Sequence, residues 1–239
     1  DPVLTGRGEL IADRVRAFGE DPGACVIADV PEGSGKNPAQ RAVELIAEGA
    51  GDFLVKGRMD TKDLLKPVVD RTNNLHSKDS PSGGLMSHLA FFRIPGVDRL
   101  VVVTDGGMVL YPDLNQKKGL ILNAVGTLRA MGWERPRVAV LCAVEKVNPR
   151  MKETVEAAEL AEMNRSGEIP DCVVEGPISY DVAMDPGIAA IKGYRSENCG
   201  RFDVLVTPDL TTGNLLGKSL LVSAHAELAG IVVGARIPI

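Results

Sequence analysis

The stretch FDVLVTPDLTTGNLLGKSLL, Phe202 to Leu221, decides how the rest of the chain is read. Its first five residues carry four apolar side chains without alternation, the mark of a strand buried on both faces in a parallel sheet. After Thr212 apolar residues recur at helical spacing. Between the two lies a turn holding an acid, hydroxyls, a glycine and an amide. A strand that feeds through a polar turn into a helix is the building unit of an α/β fold.

The unit recurs along the chain. Strands are expected over Cys25 to Ala28, Asp52 to Val55, Leu89 to Ile94, Leu100 to Thr104, Arg137 to Leu141, Cys172 to Glu175, Phe202 to Val206 and Ile231 to Val233. Helices are expected over Pro38 to Glu48, Thr61 to Asp70, Gln116 to Met131, Lys152 to Asn164, Tyr180 to Ile191 and Thr212 to Leu228. This alternation predicts an α/β protein whose parallel strands end along one edge, where ligands bind. The polar, glycine-rich stretch Thr72 to Gly84 reads as a connection and sets a domain boundary nearby.

Turns of one chemical type follow five of the strands. They hold Lys56, Gly57, Asp60 and Thr61; Thr104, Asp105, Gly106 and Gly107; Glu145, Lys146 and Asn148; Glu175, Gly176, Pro177 and Asp181; and Asp209, Thr212, Gly213 and Asn214. Glycine lets a backbone approach a ligand, and unpaired N–H groups at a helix start favour an anion. The pattern therefore points to a phosphate-bearing substrate. Asp60, Thr61, Asp181 and Thr212 equally suit plain helix caps, which any α/β domain needs.

Several classes fall away. A net charge of -5 with scattered Lys and Arg argues against a nucleic-acid groove. No apolar run reaches the ~18 to 20 residues that span a bilayer, so a cytoplasmic protein off the membrane is expected. Cys25, Cys142, Cys172 and Cys199 lack metal-ligand spacing and read as reduced thiols, and no metal is expected. PEGSGKNP, Pro31 to Pro38, has Val30 and Asn37 where a phosphate-binding P-loop needs Gly and Ser or Thr, so it reads as a surface turn. Of the histidines, His225 falls within an expected helix and is structural, while His88, beside Ser87, is the candidate for a substrate site.

LVKGRMDTKDLL (Leu54 to Leu65), LMSH (Leu85 to His88), LCAVEKVNPRM (Leu141 to Met151), VEGPISYD (Val174 to Asp181), TPDLTTGN (Thr207 to Asn214) and AGIVVGARIPI (Ala229 to Ile239) together resemble the phosphate acetyl/butyryl transferase family. AVEKVNP and the Glu-Gly-Pro turn resemble its butyryl branch more than its acetyl branch. The resemblance implies reversible acyl transfer between coenzyme A and inorganic phosphate, with acyl-CoA and acyl phosphate as the other partners. Coenzyme A is then a substrate, and no cofactor is bound permanently. The implied fold is two three-layer α/β domains of the isocitrate/isopropylmalate dehydrogenase-like type with a cleft between them. The first domain is residues 1–86 completed by 230–239, and the second is 87–229. The resemblance further implies a longer protein, in which a Thr-Ser-Arg-type segment and a final helix follow Ile239. A homodimer or higher homo-oligomer is also implied, and apolar residues on more than one face of the expected Thr212 to Leu228 helix agree with it.

Such chemistry needs a carboxylate near the thiol and donors placed where the tetrahedral oxyanion develops. Asp209 suits the first role, while Asn214 and Lys218, one helical turn apart, suit the second. Lys56, Gly57, Thr61, Ser87, His88, Thr104, Asp105, Asp181 and Gly213 are the expected substrate-binding set. Cys142 ends a core strand and reads as an inert thiol, so no covalent intermediate is expected. Two other readings stand beside this one. One is a non-catalytic acyl-CoA-binding or scaffold relative. The other is a metal- and nicotinamide-dependent dehydrogenase of the same fold, which the separation of Asp105, Asp181 and Asp209 disfavours.

Overall fold

Buried β-branched runs and amphipathic helices sort the chain into two units, Asp1–His76 with Ala235–Ile239, and Ser77–Gly234. The computed structural model describes residues 2–73, 75–77 and 80–239. Asn74, Lys78 and Asp79 of the expected connection lie outside the described residues.

In the first unit β1 (Val3–Gly6) and β2 (Val26–Asp29) pair in parallel, Val3 with Val26 through Gly6 with Asp29. Around them are α1 (Gly8–Ala17), α2 (Pro38–Ala47) and α3 (Thr61–Val69). Asn37 opens α2 by accepting the Ala39 N–H at 2.8 Å, and Pro38 takes the first helical position, where its missing N–H costs nothing. Val43, Leu64, Val68 and Leu75 form the buried centre. The last residues return to this unit: Arg236 N–H donates to the Leu75 carbonyl at 2.8 Å, and Leu54 N–H to the Pro238 carbonyl at 3.1 Å. Asp52 to Val55, expected as a strand, forms none; Phe53 and Val55 are 64% and 72% exposed, so no packed neighbour holds that run extended.

The second unit contains β3 (Ser87–Arg93), β4 (Leu100–Thr104), α4 (Leu114–Ala130), β5 (Arg137–Leu141), α5 (Lys152–Arg165), β6 (Val173–Ile178), α6 (Tyr180–Met184), α7 (Pro186–Ile191), β7 (Val204–Val206), α8 (Leu210–Ser223) and β8 (Glu227–Val233). Its strands form one sheet in the order β6-β5-β7-β4-β3-β8. The pairs β4 with β7, β7 with β5 and β5 with β6 are parallel, whereas β3 runs against both β4 and β8. Val102, Val138, Val140, Val204 and Val206 turn to one face with Ile121 and Leu128 of α4 and Leu160 of α5. Val101, Val103, Ala139 and Leu205 turn to the other, with Val182 of α6, Ala189 of α7 and Leu220 of α8. Both faces are covered, which is why β4, β5 and β7 read as unbroken apolar runs. The helices α4 and α5 share a buried ion pair, Lys117 Nζ to Glu156 Oε2 at 2.6 Å.

Three expectations change. Residues 80–86 and 230–234 group with the second unit, the latter because Gly230 to Val233 are hydrogen-bonded to β3. The helix expected over Thr212 to Leu228 is Leu210–Ser223: His225 takes a left-handed turn at φ 52, and Glu227 already starts β8. The helix expected over Tyr180 to Ile191 is two, because Pro186 donates no backbone hydrogen bond. Asp185 caps the second of them by accepting the Gly187 N–H at 2.7 Å.

Candidate active site

The polarity of the sheet gathers β4, β5, β6 and β7 by their carboxyl ends at one edge of the second unit. Since β3 runs oppositely, its first residues Ser87 and His88 enter at that edge too. Two of the turns there are locked together. The Thr207 hydroxyl, 1% exposed, lies within 3.2 Å of the Asp105 and Asp209 carbonyls, and Asn214 Nδ2 donates to the Gly106 carbonyl at 3.1 Å. A Cβ on Gly213 would fall 2.4 Å from the Asp105 oxygen. Glycine is required there for the turns to touch, a structural reason for it beside the expected approach to a ligand. The peptide between Thr104 and Asp105 is cis.

Asp105 is 2% exposed, and its carboxylate is spent on its own surroundings. Oδ1 accepts the N–H groups of Gly107 and Met108, both at 2.7 Å, and Oδ2 accepts that of His88 at 2.9 Å. Ser87 is fully buried, and its hydroxyl accepts from Asn123 Nδ2 at 2.9 Å, tying β3 to α4. Thr104 is fully buried as well, its hydroxyl without a partner among the described residues. Ser87, Thr104, Asp105 and Gly213 were expected to touch substrate; the fold turns them inward, where they shape the floor of the edge. Half-buried His88 lies between two glycines, since a Cβ on Gly230 would fall 2.7 Å from Nε2 and one on Gly107 3.3 Å from Cγ. Burial pushes its pKa down against the pull of Asp105, leaving a neutral ring near pH 7. Its Nδ1 has no partner among the described residues.

The start of α8 departs from the sequence reading in a second way. Its cap is Asp209, whose Oδ1 accepts the Thr212 N–H at 2.8 Å and the Thr212 hydroxyl at 3.0 Å. Thr212, expected as the cap, is the residue being capped. The Leu210 N–H is also used, by the Leu110 carbonyl at 3.0 Å. An anion at this helix start is thus supplied by the protein, and Lys218, two turns into α8, is exposed and forms no ion pair among the described residues.

Beside this turn a depression of about 470 Å³ opens over Leu141, Cys142, Tyr180, Pro208 and Leu216, with Asp209 and Thr212 on its wall. Its lining is mainly apolar. The Cys142 thiol donates to the Glu153 carbonyl at 3.4 Å, and burial, helped by the Glu153 charge, pushes its pKa up to about 12. It is a thiol at neutral pH and a poor nucleophile.

Asp181 belongs to a cluster the sequence did not announce. Lys192, closing α7, reaches Asp181 Oδ2 at 2.9 Å, Glu145 Oε1 at 3.1 Å and Ser179 Oγ at 3.2 Å, and the Ser179 hydroxyl sits against both carboxylates. The hydrogen bond from Ser179 and then the contact with Lys192 hold Asp181 at about 2. The same two groups keep Glu145 below the usual carboxylate range. Lys192 at a helix end was the available signal, because a cation there completes the last turn. Its partners are set by the fold alone. Among the described residues no group of three or more His, Cys, Asp or Glu side chains is arranged to hold a metal ion.

Lys56, Gly57 and Thr61 lie in the first unit and are described apart from the rest. The Lys56 ammonium donates to the Met59 carbonyl at 2.7 Å, Gly57 has open space around it, and Thr61 is the exposed first residue of α3.

Comparison with known proteins agrees with the motifs. The family model for phosphate acetyl/butaryl transferase matches residues 25–239. The chain is 39% identical over 238 residues to a phosphate acetyltransferase of Rhizobium meliloti, covering 100% of this chain and 73% of that one. It is 35% identical over 239 residues to a phosphate butyryltransferase of Clostridium acetobutylicum, covering 100% and 77%. A solved branched-chain phosphotransacylase from Enterococcus faecalis V583 superposes with a TM-score of 0.78 at 27% identity, covering 100% of this chain and 90% of that one.

Proposed function

The chain belongs to the phosphate acetyl/butyryl transferase family and is an acyltransferase, and on that premise we propose that it moves a short, butyryl-like acyl group reversibly between coenzyme A and inorganic phosphate. The observation that carries the reading is the mainly apolar depression of about 470 Å³ beside the α8 turn, with room for more carbon than an acetyl group has and with Asp209 on its wall. We take the acyl chain to lie over Leu141, Tyr180 and Leu216.

In the proposed step a phosphate oxygen adds to the thioester carbonyl. The C–S bond breaks and the sulfur leaves as coenzyme A thiolate, which takes up a proton; the reverse reaction returns the proton and remakes that bond. In this reading Asp209 handles the proton through Oδ2, which is supported by both of its cap bonds falling on Oδ1. Lys218 carries the charge for the phosphate and the developing oxyanion, with Asn214 one turn before it on the same face. The pKa of Cys142 supports direct transfer between two bound substrates over a route through an acyl-enzyme. His88, Asp181, Lys56, Gly57 and Thr61 are proposed as substrate-side residues, with Asp181 acting through its bond to Lys192. The fold is read as the isocitrate/isopropylmalate dehydrogenase-like type, and the working form as a cytoplasmic homodimer. Among the described residues no helix is long and apolar enough to cross a membrane.

The test is the initial rate of thiol release from acetyl-, butyryl- and hexanoyl-CoA with and without phosphate and with no added metal. Release is expected to require phosphate and to be fastest with butyryl-CoA. Phosphate-independent release with every donor would sink the reading, and a clear preference for acetyl-CoA would remove the acyl assignment alone.

A further inference from the structure

Apart from the carboxyl-end turns, the second unit holds a polar hollow at the opposite edge of its sheet. It measures about 400 Å³ and is lined by Arg135, Arg137, Val173, Glu197, Asn198 and Arg201. Arg137 and Val173 are the first residues of β5 and β6, so the hollow sits at their amino ends. Along β5, Arg137 is four residues from Leu141, roughly 13 Å at ~3.3 Å per residue. No group of the proposed reaction lies there. From this cluster the geometry points to a second ligand site, for a compact multivalent anion bearing phosphate or carboxylate groups.

Three arginines from three places in the chain line the hollow. Arg135 precedes β5, Arg137 begins it and Arg201 lies in the segment before β7. None of the three forms an ion pair among the described residues; Arg137 donates to the Arg201 carbonyl at 3.4 Å. Glu197 is the one acidic side chain in the lining, so three positive charges face one negative. Scattered arginines on a surface are ordinary. Three sharing one hollow repel one another, and that cost is offset when a dianion or larger anion binds. Arginine suits the task because its planar fork matches phosphate and carboxylate oxygens in pairs.

The walls are fixed in advance. Glu175 accepts from the Tyr194 hydroxyl at 3.2 Å, the Ser196 hydroxyl at 2.7 Å and Asn198 Nδ2 at 2.5 Å, which pins the segment carrying Glu197 and Asn198. The Arg201 N–H donates to the Asn198 carbonyl at 2.8 Å, closing the turn that presents Arg201. Arg137 is itself held by Asp203, whose Oδ2 accepts the Arg137 N–H at 2.8 Å and whose N–H donates back to the Arg137 carbonyl at 2.8 Å. Little ordering is left for a ligand to impose, which favours binding. The volume lies in the range of small-ligand sites and suits a molecule of a few charged groups.

The experiment is an NMR titration of the full chain at fixed ionic strength, with inorganic pyrophosphate in one arm and citrate in the other. Amide resonances of Arg137, Val173, Asn198 and Arg201 are expected to move saturably, with an apparent Kd below about 1 mM, the upper end of ordinary metabolite affinities. Whichever arm binds tighter assigns the phosphate or the carboxylate class. In the double variant Arg135→Gln/Arg201→Gln affinity at these resonances should fall about tenfold or more, while phosphate-dependent thiol release stays at the parental rate. Both residues are exposed, so the variant should also keep the parental melting temperature. Three outcomes overturn the inference: no movement of these amides with either anion, movement confined to the 209–218 turn, or unchanged affinity in the double variant. None of them bears on the proposed acyl transfer.

Discussion

Two turns that read alike in the sequence are built differently. Lys56 to Thr61 and Thr207 to Asn214 each follow an apolar run, hold a glycine and an acid, and lead into a helix. In the first unit the preceding run makes no strand, the glycine has nothing within 4 Å of a built Cβ, and Asp60 opens α3 without a side-chain cap bond. In the second the strand is wholly buried, the glycine touches the Asp105 carbonyl and Asp209 caps α8. Turn chemistry alone therefore says where a chain can bend. Whether the bend becomes a rigid floor depends on a buried strand behind it and a second turn beside it.

Glycine replacement should break the comparison most visibly. Gly213→Ala places a methyl group against the Asp105 carbonyl, which the buried Thr207 hydroxyl holds, and a loss of about 3 kcal/mol is expected, at the upper end for overpacking. Gly57→Ala should stay within about 0.5 kcal/mol of the parent. Urea midpoints of the two variants check this, and equal effects would mean the turns do not differ as described. The caps sharpen the same contrast on a smaller scale. Asp209→Ala should cost about 1 kcal/mol, while Asp60→Ala, which removes no cap bond, should cost a few tenths at most.

The smallest effect belongs to Asp181. Its pKa is lowered from 3.8 to about 2, so its contribution to stability is fully present above pH 3.8 and is lost as pH falls through about 2. The group is partly exposed, and solvent screening keeps the contribution small. Denaturation midpoints of the parent and Asp181→Asn are expected to differ slightly near neutral pH and to converge between pH 3.8 and 2. A gap that widens toward acid would contradict the Lys192 and Ser179 assignment.

What the sequence disclosed follows from the same physics. The bounds of β4 and β5 were legible to the residue, because strands covered on both faces are apolar throughout and stop where the sheet stops. The end of α8 was not. LLVSAHAELAGIVV satisfies helical spacing up to Leu228, and only the left-handed turn at His225 and the pairing of Glu227 with Arg93 settle the break. β1 and α1 went unread, although Leu10, Ile11 and Val15 fall on one face of α1. The junction at Asp185 and Pro186 was readable, as a cap followed by proline at the first helical position, and was passed over.

At the candidate site the sequence located the edge but not the direction of its side chains. Ser87, Thr104, Asp105 and Gly213 are turn and strand-end residues as expected, yet all four are buried, an outcome fixed by which neighbouring turn each one meets. Thr207 and Lys192 went unnamed for the converse reason. Their roles depend on carbonyls and carboxylates far away in the chain, such as Asp105 and Glu145, and no local pattern marks such partners.

The central claim, acyl transfer at the α8 turn, is tested most directly by steady-state kinetics of phosphate-dependent thiol release from butyryl-CoA, for the parent and Lys218→Ala side by side with their melting temperatures. Lys218 is exposed and unpaired among the described residues, so its loss should leave the melting temperature unchanged. The predicted result is an active parent and a variant whose kcat/KM is about tenfold lower or worse, corresponding to about 1.4 kcal/mol of lost transition-state stabilisation. A parent that releases no thiol in response to phosphate, or a variant within about twofold of it, would contradict the account.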